Sequence, residues 1–203
     1  MKLKIGVMGS ALERGEADIP QSGKNLAFEV GKAIANHNCI FVNGACGGIP
    51  ELAAKGARSA DGFLMGISPA ENFHEHTHKY NFPYKDFDII FYTGFGFKGR
   101  NVVNVSNCDA VIIVSGHMGT LNEFSIAYDE GMVIGLMRGS GGIADFADEI
   151  IKIANKKTGA IVVEDTDPHN LVKKVITEIR KRQAKEKKEM RLEKKHNTCY
   201  RCR

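Results

Sequence analysis

Residues 110–123, AVIIVSGHMGTLNE, decide the fold of this 203-residue chain. The first five residues are apolar and predict a buried strand, which ends at the glycine turn over 115–119. The residues after the turn predict the start of a helix. Because a buried strand, a glycine turn and a helix in this order are typical of a βαβ crossover, the stretch predicts a parallel sheet.

The same alternation of strand and helix continues along the chain in both directions. Further strands are predicted at 2–8, 39–42, 63–67, 89–92, 133–137 and 160–163. Helices are predicted at 22–37, about 50–60, 98–107, 120–130, 143–154 and 168–182, with Ser22 capping the first and Pro50 in the first turn of the second. The fold class is therefore α/β, with a doubly wound, mostly parallel sheet of about seven strands and helices on both faces.

The end of the chain differs in charge from the rest. Residues 180–203 hold 11 Lys and Arg against 3 Glu, and residues 1–179 hold 17 basic against 21 acidic side chains. The formal net charge of +4 is thus the sum of an acidic body and a strongly basic tail. We expect one domain over 1–182 and a helical or disordered tail over 183–203. This tail is either a solvated helix end or an arm for nucleic acid.

Hydropathy and the number of cysteines indicate the cellular location of the protein. No apolar run reaches the roughly 18 residues that a membrane helix needs, and the amino-terminal segment turns to glycine too early for a signal peptide. We therefore expect a cytoplasmic protein with no membrane partner. Five Cys make an odd number, which favours reduced thiols over a disulfide framework. The CxxC of Cys199 and Cys202 has no second pair nearby, so we predict no metal there.

Glycine collects where the predicted strands end. Strands one, two, four, five and six are followed by Gly9, 44–48, 94–99, 116–119 and 139–142. Ligands of open α/β sheets bind beyond the carboxyl ends of the strands, and glycine lets the backbone approach a ligand closely. The five turns therefore predict a cleft for an anion or a nucleotide.

The turn over 116–120 carries the densest local signal. Free amides at the start of a helix, with its positive dipole end, bind phosphate without a cationic side chain, and Thr120 adds a hydroxyl. Glu123 has two interpretations. Its carboxylate either faces the cleft or closes a capping box as part of Thr120-x-x-Glu123, and the local sequence favours the capping box.

These residues resemble the PGGxGTxxE motif of the LOG (Lonely Guy) family of Rossmann-like nucleotide-binding proteins, also labelled "possible lysine decarboxylase". The segment 93–101, TGFGFKGRN, is similar to the family segment that delivers an arginine. That arginine is Arg100, 23 residues before Glu123. Gly9-Ser10 and residues 43–51 fall where the family has its GS and GGxxGxM elements, so the resemblance covers about residues 3–165.

The resemblance implies a phosphoribohydrolase, which cleaves the N-glycosidic bond of a nucleoside 5′-monophosphate to free base and ribose 5-phosphate. It places Arg100 and Glu123 in catalysis. It also implies a phosphate- or nucleotide-binding set made of Gly9, Ser10, Gly44, Gly47, Asn101, Gly116, His117, Met118, Gly119 and Thr120. The resemblance implies a homodimer or higher homo-oligomer, and we predict no metal and no cofactor.

The chain departs from the LOG motif at two positions. Ser115 stands where the motif has Pro, and His117 stands where it has the second Gly. The imidazole could assist, as a phosphate donor or an acid for the leaving base, or it could narrow the site and abolish catalysis. Three other features are similar to the molybdenum-cofactor carrier proteins, which bind a phosphorylated pterin without transforming it. They are the loop over 43–50, the Arg100-Asn101 pair and the glycine loop over 139–142. A distant likeness to DprA leaves nucleic-acid binding through the tail as a third hypothesis.

Three further features have two interpretations each. The alternating His74, His76 and His78 could share a metal on an extended chain, but a mobile aromatic flap over the cleft or a dimer contact is favoured. Cys46 is favoured as a small buried residue over a reactive thiol. Arg138 is either a phosphate contact or a member of a surface ion pair.

Overall fold

The computed structural model describes residues 1–11 and 19–200, with side chains described as far as residue 191. Within these residues the strands are β1 (Lys4–Gly9), β2 (Ile40–Asn43), β3 (Phe63–Ser68), β4 (Ile89–Tyr92), β5 (Ala110–Val114), β6 (Val133–Met137) and β7 (Ile161–Asp165). The helices are α1 (Gln21–Asn36), α2 (Ile49–Ser59), α3 (Gly96–Ser106), α4 (Met118–Asp129), α5 (Ile143–Ala154) and α6 (Pro168–Tyr200), with one π-helical turn at Glu75–Lys79.

The described strands form one sheet in the order β4-β3-β2-β1-β5-β6-β7, and every neighbouring pair is parallel. The chain moves outward from β1 to β4, returns to pair β5 with β1, and then moves outward on the other side. The predicted α/β class and doubly wound sheet are confirmed, and the sheet is parallel throughout. The strand order reverses between β1 and β5, so a crevice opens at their carboxyl ends.

The two faces of the sheet bury separate apolar layers. Alternate residues of one strand point to opposite faces, as Val7 and Met8 do in β1 and Ile112 and Ile113 do in β5. Val7 and Ile112 pack in the layer beneath α1, α2 and α6, and Met8 and Ile113 pack in the layer beneath α3, α4 and α5. Strands covered on both faces need continuous apolar runs, which is why residues 110–114 were so informative.

Several predicted helix starts differ from the structure by one or two residues, and α3 begins at Gly96, two residues before its predicted start. Helix α1 begins at Gln21 after Pro20, and no side chain caps it, so the predicted cap at Ser22 is wrong. Helix α4 begins at Met118, two residues before its predicted start. The prediction that Pro50 lies in the first turn of α2 is confirmed.

Helix α6 runs on past residue 182, where we predicted a domain boundary, and continues to Tyr200. Residues 184–191 are exposed, whereas Arg182 still reaches the body and donates to the Gly131 carbonyl at 2.5 Å. The division into a domain and a tail stays a prediction. The side chains of Cys199 and Cys202 lie outside the part that the structure describes. No helix in the described ranges is both long and apolar enough to span a membrane.

Candidate functional site

A cavity of about 150 Å³ lies at the carboxyl ends of β1, β2 and β5, between the starts of α3 and α4. Ten of the twelve residues predicted for the site line it: Gly9, Ser10, Gly44, Arg100, Asn101, His117, Met118, Gly119, Thr120 and Glu123. Gly47 and Gly116 do not line it. For Gly116 the backbone amide is engaged inside the protein, as described below.

The cavity floor holds an ion pair between the two helices. Arg100 Nη1 on α3 lies 3.4 Å from Glu123 Oε1 on α4, and the residues are only 5% and 6% exposed. Asn104, fully buried one turn further along α3, donates from Nδ2 to the same Glu123 oxygen at 3.1 Å. The structure therefore brings the two predicted catalytic side chains together and adds a neutral donor that holds the carboxylate.

The surroundings of Glu123 act on its pKa in opposite directions. Burial raises the pKa of this carboxyl, because the charged form loses its hydration. The charge of Arg100, the hydrogen bond from Asn104 and the charge of Lys98 lower the pKa, in that order of size, but burial dominates. Glu123 therefore holds a proton more tightly than an exposed glutamate does, and its protonation depends on the groups around it.

The capping-box interpretation of Thr120 and Glu123 is wrong. Helix α4 starts at Met118, so Thr120 is the third residue of the helix and not the residue before it. His117 occupies the cap position, and no side chain makes a capping hydrogen bond there. The carboxylate of Glu123 is turned toward α3 instead.

One face of α3 supplies several residues of the site. Phe97, Arg100, Asn101 and Asn104 follow the i, i+3, i+4, i+7 spacing that places side chains on one side of a helix. Asn101 donates to the Asn122 side chain on α4 at 2.8 Å, which ties the two helices together beside the ion pair. Asn104 and Phe97 were not predicted from the sequence, although their spacing from Arg100 was a signal that could have found them.

The turn after β5 is closed by two serine side chains. The Ser115 amide donates to Ser140 Oγ at 2.7 Å, and the Gly116 amide donates to Ser10 Oγ at 3.2 Å. Ser140 in turn donates to the Met137 carbonyl at 2.5 Å. The Gly116 amide, which the resemblance assigned to a phosphate, is thus engaged inside the protein.

The backbone of Ser115 explains why this position does not carry the proline of the LOG motif. Ser115 has a φ of 56°, in the left-handed region. The proline ring fixes φ near −65°, so proline cannot adopt this conformation. The turn over 115–117 therefore has a different backbone from one that begins with proline.

The first turn of α4 faces the cavity with its backbone amides. The first hydrogen bond inside the helix runs from the Leu121 amide to the His117 carbonyl at 2.9 Å. Within the described part of the chain, the amides of Met118, Gly119 and Thr120 have no acceptor. Three amides and the positive end of the helix dipole make this the place in the cavity most suited to an anion.

The glycine turn after β6 does not share this property. The carboxylate of Asp145 accepts from the amides of Gly139 and Gly141, both at 2.8 Å. The turn after β2 is closed similarly by Asn43, which donates to the Pro50 carbonyl at 2.7 Å and accepts from the Ala45 amide at 2.8 Å. Glycine turns follow the strands as predicted, but in two of them the polar backbone groups are hydrogen bonded to side chains of the protein.

The histidine-rich segment is helical and not extended. His74 and His78 stack at 4.3 Å in the π-helical region. His76 points away from them and is fully buried, with Nδ1 2.9 Å from Ser68 Oγ and Nε2 3.1 Å from the Pro83 carbonyl. The three rings therefore do not share a face, and no metal-binding group of three or more His, Cys, Asp or Glu occurs among the described residues.

Arg138 and Cys46 fit the plainer of their two interpretations. Arg138 pairs with Asp148 and Glu164 and donates to the Ala144 carbonyl at 2.9 Å, so it forms surface ion pairs away from the cavity. Cys46 is 3% exposed and its backbone turn lines the cavity. The lining also includes seven residues that were not among the predicted site residues: Val7, Met8, Ala11, Cys46, Pro50, Phe97 and Lys98.

These features define a doubly wound, Rossmann-like α/β protein with a cavity at the β1–β5 switch of its sheet. The model of the SLOG cluster4 family matches residues 2–172, and the chain belongs to this family. An uncharacterized protein of Archaeoglobus fulgidus is 38% identical over 133 residues, which are 64% of this chain and 78% of that one.

Solved structures agree with this membership. TM1055, a structural genomics target, is 25% identical with a TM-score of 0.73, and the match covers 88% of this chain and 99% of that one. The molybdenum cofactor carrier protein of Chlamydomonas reinhardtii is 26% identical with a TM-score of 0.66, over 87% and 99% of the two chains. DprA of Streptococcus pneumoniae, 19% identical with a TM-score of 0.56 over 80% and 58%, shares the fold alone. The resemblance to this LOG-related branch is confirmed.

Proposed function

We propose that the protein binds a nucleoside 5′-monophosphate in the cavity and cleaves its N-glycosidic bond. Water adds across the bond between C1′ and the base nitrogen, and the products are the free base and ribose 5-phosphate. In this proposal the phosphate lies on the amides of Met118, Gly119 and Thr120. Binding of the phosphate at a distance from C1′ helps to orient the bond that breaks.

The chemistry of this cleavage requires a negative charge near C1′. As the base leaves with the bonding electrons, the sugar acquires oxocarbenium character, which a neighbouring carboxylate stabilises. Glu123 is the carboxylate in the described lining of the cavity. Arg100 supports this role in two ways, because it holds the carboxylate in place and its charge lowers the pKa of Glu123 against the effect of burial.

The observation that carries the proposal is the contact between Arg100 and Glu123 in the same cavity as the open amides of α4. A buried ion pair is costly to maintain, and replacement by apolar residues is often neutral or stabilising. A pair placed at the ligand end of an α/β sheet is therefore a candidate for function, as groups with perturbed pKa values in cavities often are.

The experiment is an assay of base release from the adenosine, guanosine, cytidine and uridine 5′-monophosphates, read by chromatography. We expect at least one of them to yield free base. Glu123→Gln keeps the shape of the side chain and should lower the rate by about 100-fold or more. Glu130→Gln, at the exposed end of α4, is the matched control and should retain the rate. Absence of base release at high enzyme concentration would contradict the proposal.

A second candidate is a carrier that binds a nucleotide or a phosphorylated pterin without turnover. The burial of Glu123 favours it, since burial disfavours the charged form of the carboxyl that the cleavage needs. The likeness to the Chlamydomonas molybdenum cofactor carrier protein also supports it. Thermal stabilisation by one such ligand, without release of base from any nucleotide, would favour the carrier.

We further propose that the protein is a homodimer or a higher homo-oligomer, in line with the family resemblance. Size-exclusion chromatography with light scattering at micromolar concentration tests this directly. A monomer at that concentration would refute it. The result does not depend on which of the two ligand-binding roles is correct.

A further inference from the structure

Phe97 is an aromatic side chain in the wall of the cavity that neither candidate function has used. It is the second residue of α3, lines the cavity and is half-buried. It lies one helical turn before Arg100 on the same face of the helix, so it stands nearer the helix start than the ion pair does. A half-buried aromatic ring in a cavity wall is a surface on which a ligand can pack.

Two other rings hold Phe97 without stacking on it. Tyr80 lies at a centroid distance of 5.4 Å and an interplanar angle of 89°, and Phe82 at 6.0 Å and 72°. Both contacts are edge-to-face, whereas Tyr80 and Phe82 stack on each other at 5.3 Å and 23°. Among the described residues no ring stacks in parallel on Phe97, so a flat ring from outside the protein could take that position.

The rings behind Phe97 are themselves anchored. Phe82 packs at 5.6 Å from the buried ring of His76, which is hydrogen bonded to Ser68 and to the Pro83 carbonyl. This network connects the support of Phe97 to the end of β3. A ring held in this way loses little conformational freedom when a ligand stacks on it, which favours binding.

We propose that Phe97 is the stacking surface for the planar ring of the ligand and determines the specificity for that ring. The proposal rests on the proposed function, because it places the phosphate on the start of α4 and the sugar beside Arg100 and Glu123. The ligand class is then a phosphate ester that carries an aromatic heterocycle. Bicyclic rings should bind more tightly than single rings, because they offer a larger face for stacking. Stacking does not read the hydrogen-bonding edges of a ring, so we expect little discrimination between purines.

Calorimetric titration with adenosine 5′-monophosphate, uridine 5′-monophosphate and ribose 5-phosphate tests this. The wild-type protein should bind the adenosine compound most tightly and ribose 5-phosphate most weakly. Phe97→Leu keeps an apolar side chain without the aromatic face. This variant should bind adenosine 5′-monophosphate with about tenfold lower affinity, the scale of one stacking contact. Its affinity for ribose 5-phosphate should change by less than about twofold. Phe95→Leu, a 67% exposed ring outside the cavity, is the matched control and should change neither.

Each other outcome has a distinct meaning. Unchanged affinity of Phe97→Leu for adenosine 5′-monophosphate would overturn the proposal. So would an equal loss for that ligand and for ribose 5-phosphate, since it indicates a purely structural role. A wild-type protein that binds all three ligands equally would overturn the stacking role and leave the phosphate site standing. A wild-type protein that binds none of them would overturn the proposed function, and this inference with it.

Discussion

The guanidinium group of Arg100 lies against the backbone of Gly44, so closely that a methyl group at Gly44 would come within 2.1 Å of Arg100 Nη1. The turn after β2 and helix α3 thus fix Arg100 from two sides, with Glu123 on the third. We predict that Gly44→Ala displaces the guanidinium from Glu123 and destabilises the protein by about 1–3 kcal/mol, the usual effect of overpacking. Chemical denaturation measures the change.

A double-mutant cycle provides the control for Gly44→Ala. If the clash with Arg100 is the cause, the same substitution made in an Arg100→Ala background should cost less than about 0.5 kcal/mol. Equal destabilisation in both backgrounds would mean that Gly44 is needed for another reason, such as the backbone of its own turn.

Glu123→Gln should become more stable relative to the wild-type protein as the pH rises from 4 to neutrality, even though Arg100 loses its charged partner in the variant. The folded state raises the pKa of Glu123 above its unfolded value. Below the unfolded pKa of about 4.3 the carboxyl is protonated in both the folded and the unfolded state, so the raised pKa does not lower the free energy of unfolding. The wild-type protein loses stability as the pH rises from there toward the folded pKa. The gain from Gln should therefore grow between pH 4 and neutrality. Melting temperatures at several pH values measure it, and a gain that is independent of pH contradicts the assignment.

Ser140→Ala should destabilise the turn after β5. The variant leaves the buried Ser115 amide without its acceptor at 2.7 Å, and an unsatisfied buried donor costs about 1–3 kcal/mol. Ser125→Ala, which removes an exposed hydroxyl from α4, is the control and should stay within about 0.5 kcal/mol of the wild type. Equal melting temperatures for the two variants would show that another group, or water, replaces the Ser140 hydroxyl.

Removal of residues 183–203 should leave the melting temperature unchanged. The side chains of 184–191 are exposed, and Arg182, which contacts the Gly131 carbonyl, is retained. A clear loss of stability would place the domain boundary further along the chain. The nucleic-acid hypothesis adds a second measurement: the full chain should bind a single-stranded oligonucleotide in a salt-sensitive manner, and the shortened chain should not. Equal binding by both proteins counts against that role for the tail.

The fold was predictable because its strands are buried on both faces. Such strands are short apolar runs, and each of the seven was predicted within two residues of the ends that the structure gives. Helix starts were harder to place. Ser22 is a polar candidate near the start of α1, but no side chain caps that helix, so the polar residue did not mark the start.

The site was predictable where one motif contains it and unpredictable where distant segments meet. The pairing of Arg100 with Glu123 followed from a family resemblance and not from helical spacing. Nothing local to Ser140 indicates that its hydroxyl accepts from the Ser115 amide, and nothing local to Ser10 indicates that its hydroxyl accepts from the Gly116 amide. Those contacts span 25 and 106 residues, and only the order of the strands brings them together.

Asp145 gives the rim of the sheet a further property. Its carboxylate occupies the glycine turn after β6 much as an external anion would, and it is covalently part of the protein. A tethered anion competes at high effective concentration, so dissolved phosphate cannot displace it easily. Asp145 thus occupies the amides of the turn after β6, whereas no such internal competitor is found among the described residues at the helix start at Met118.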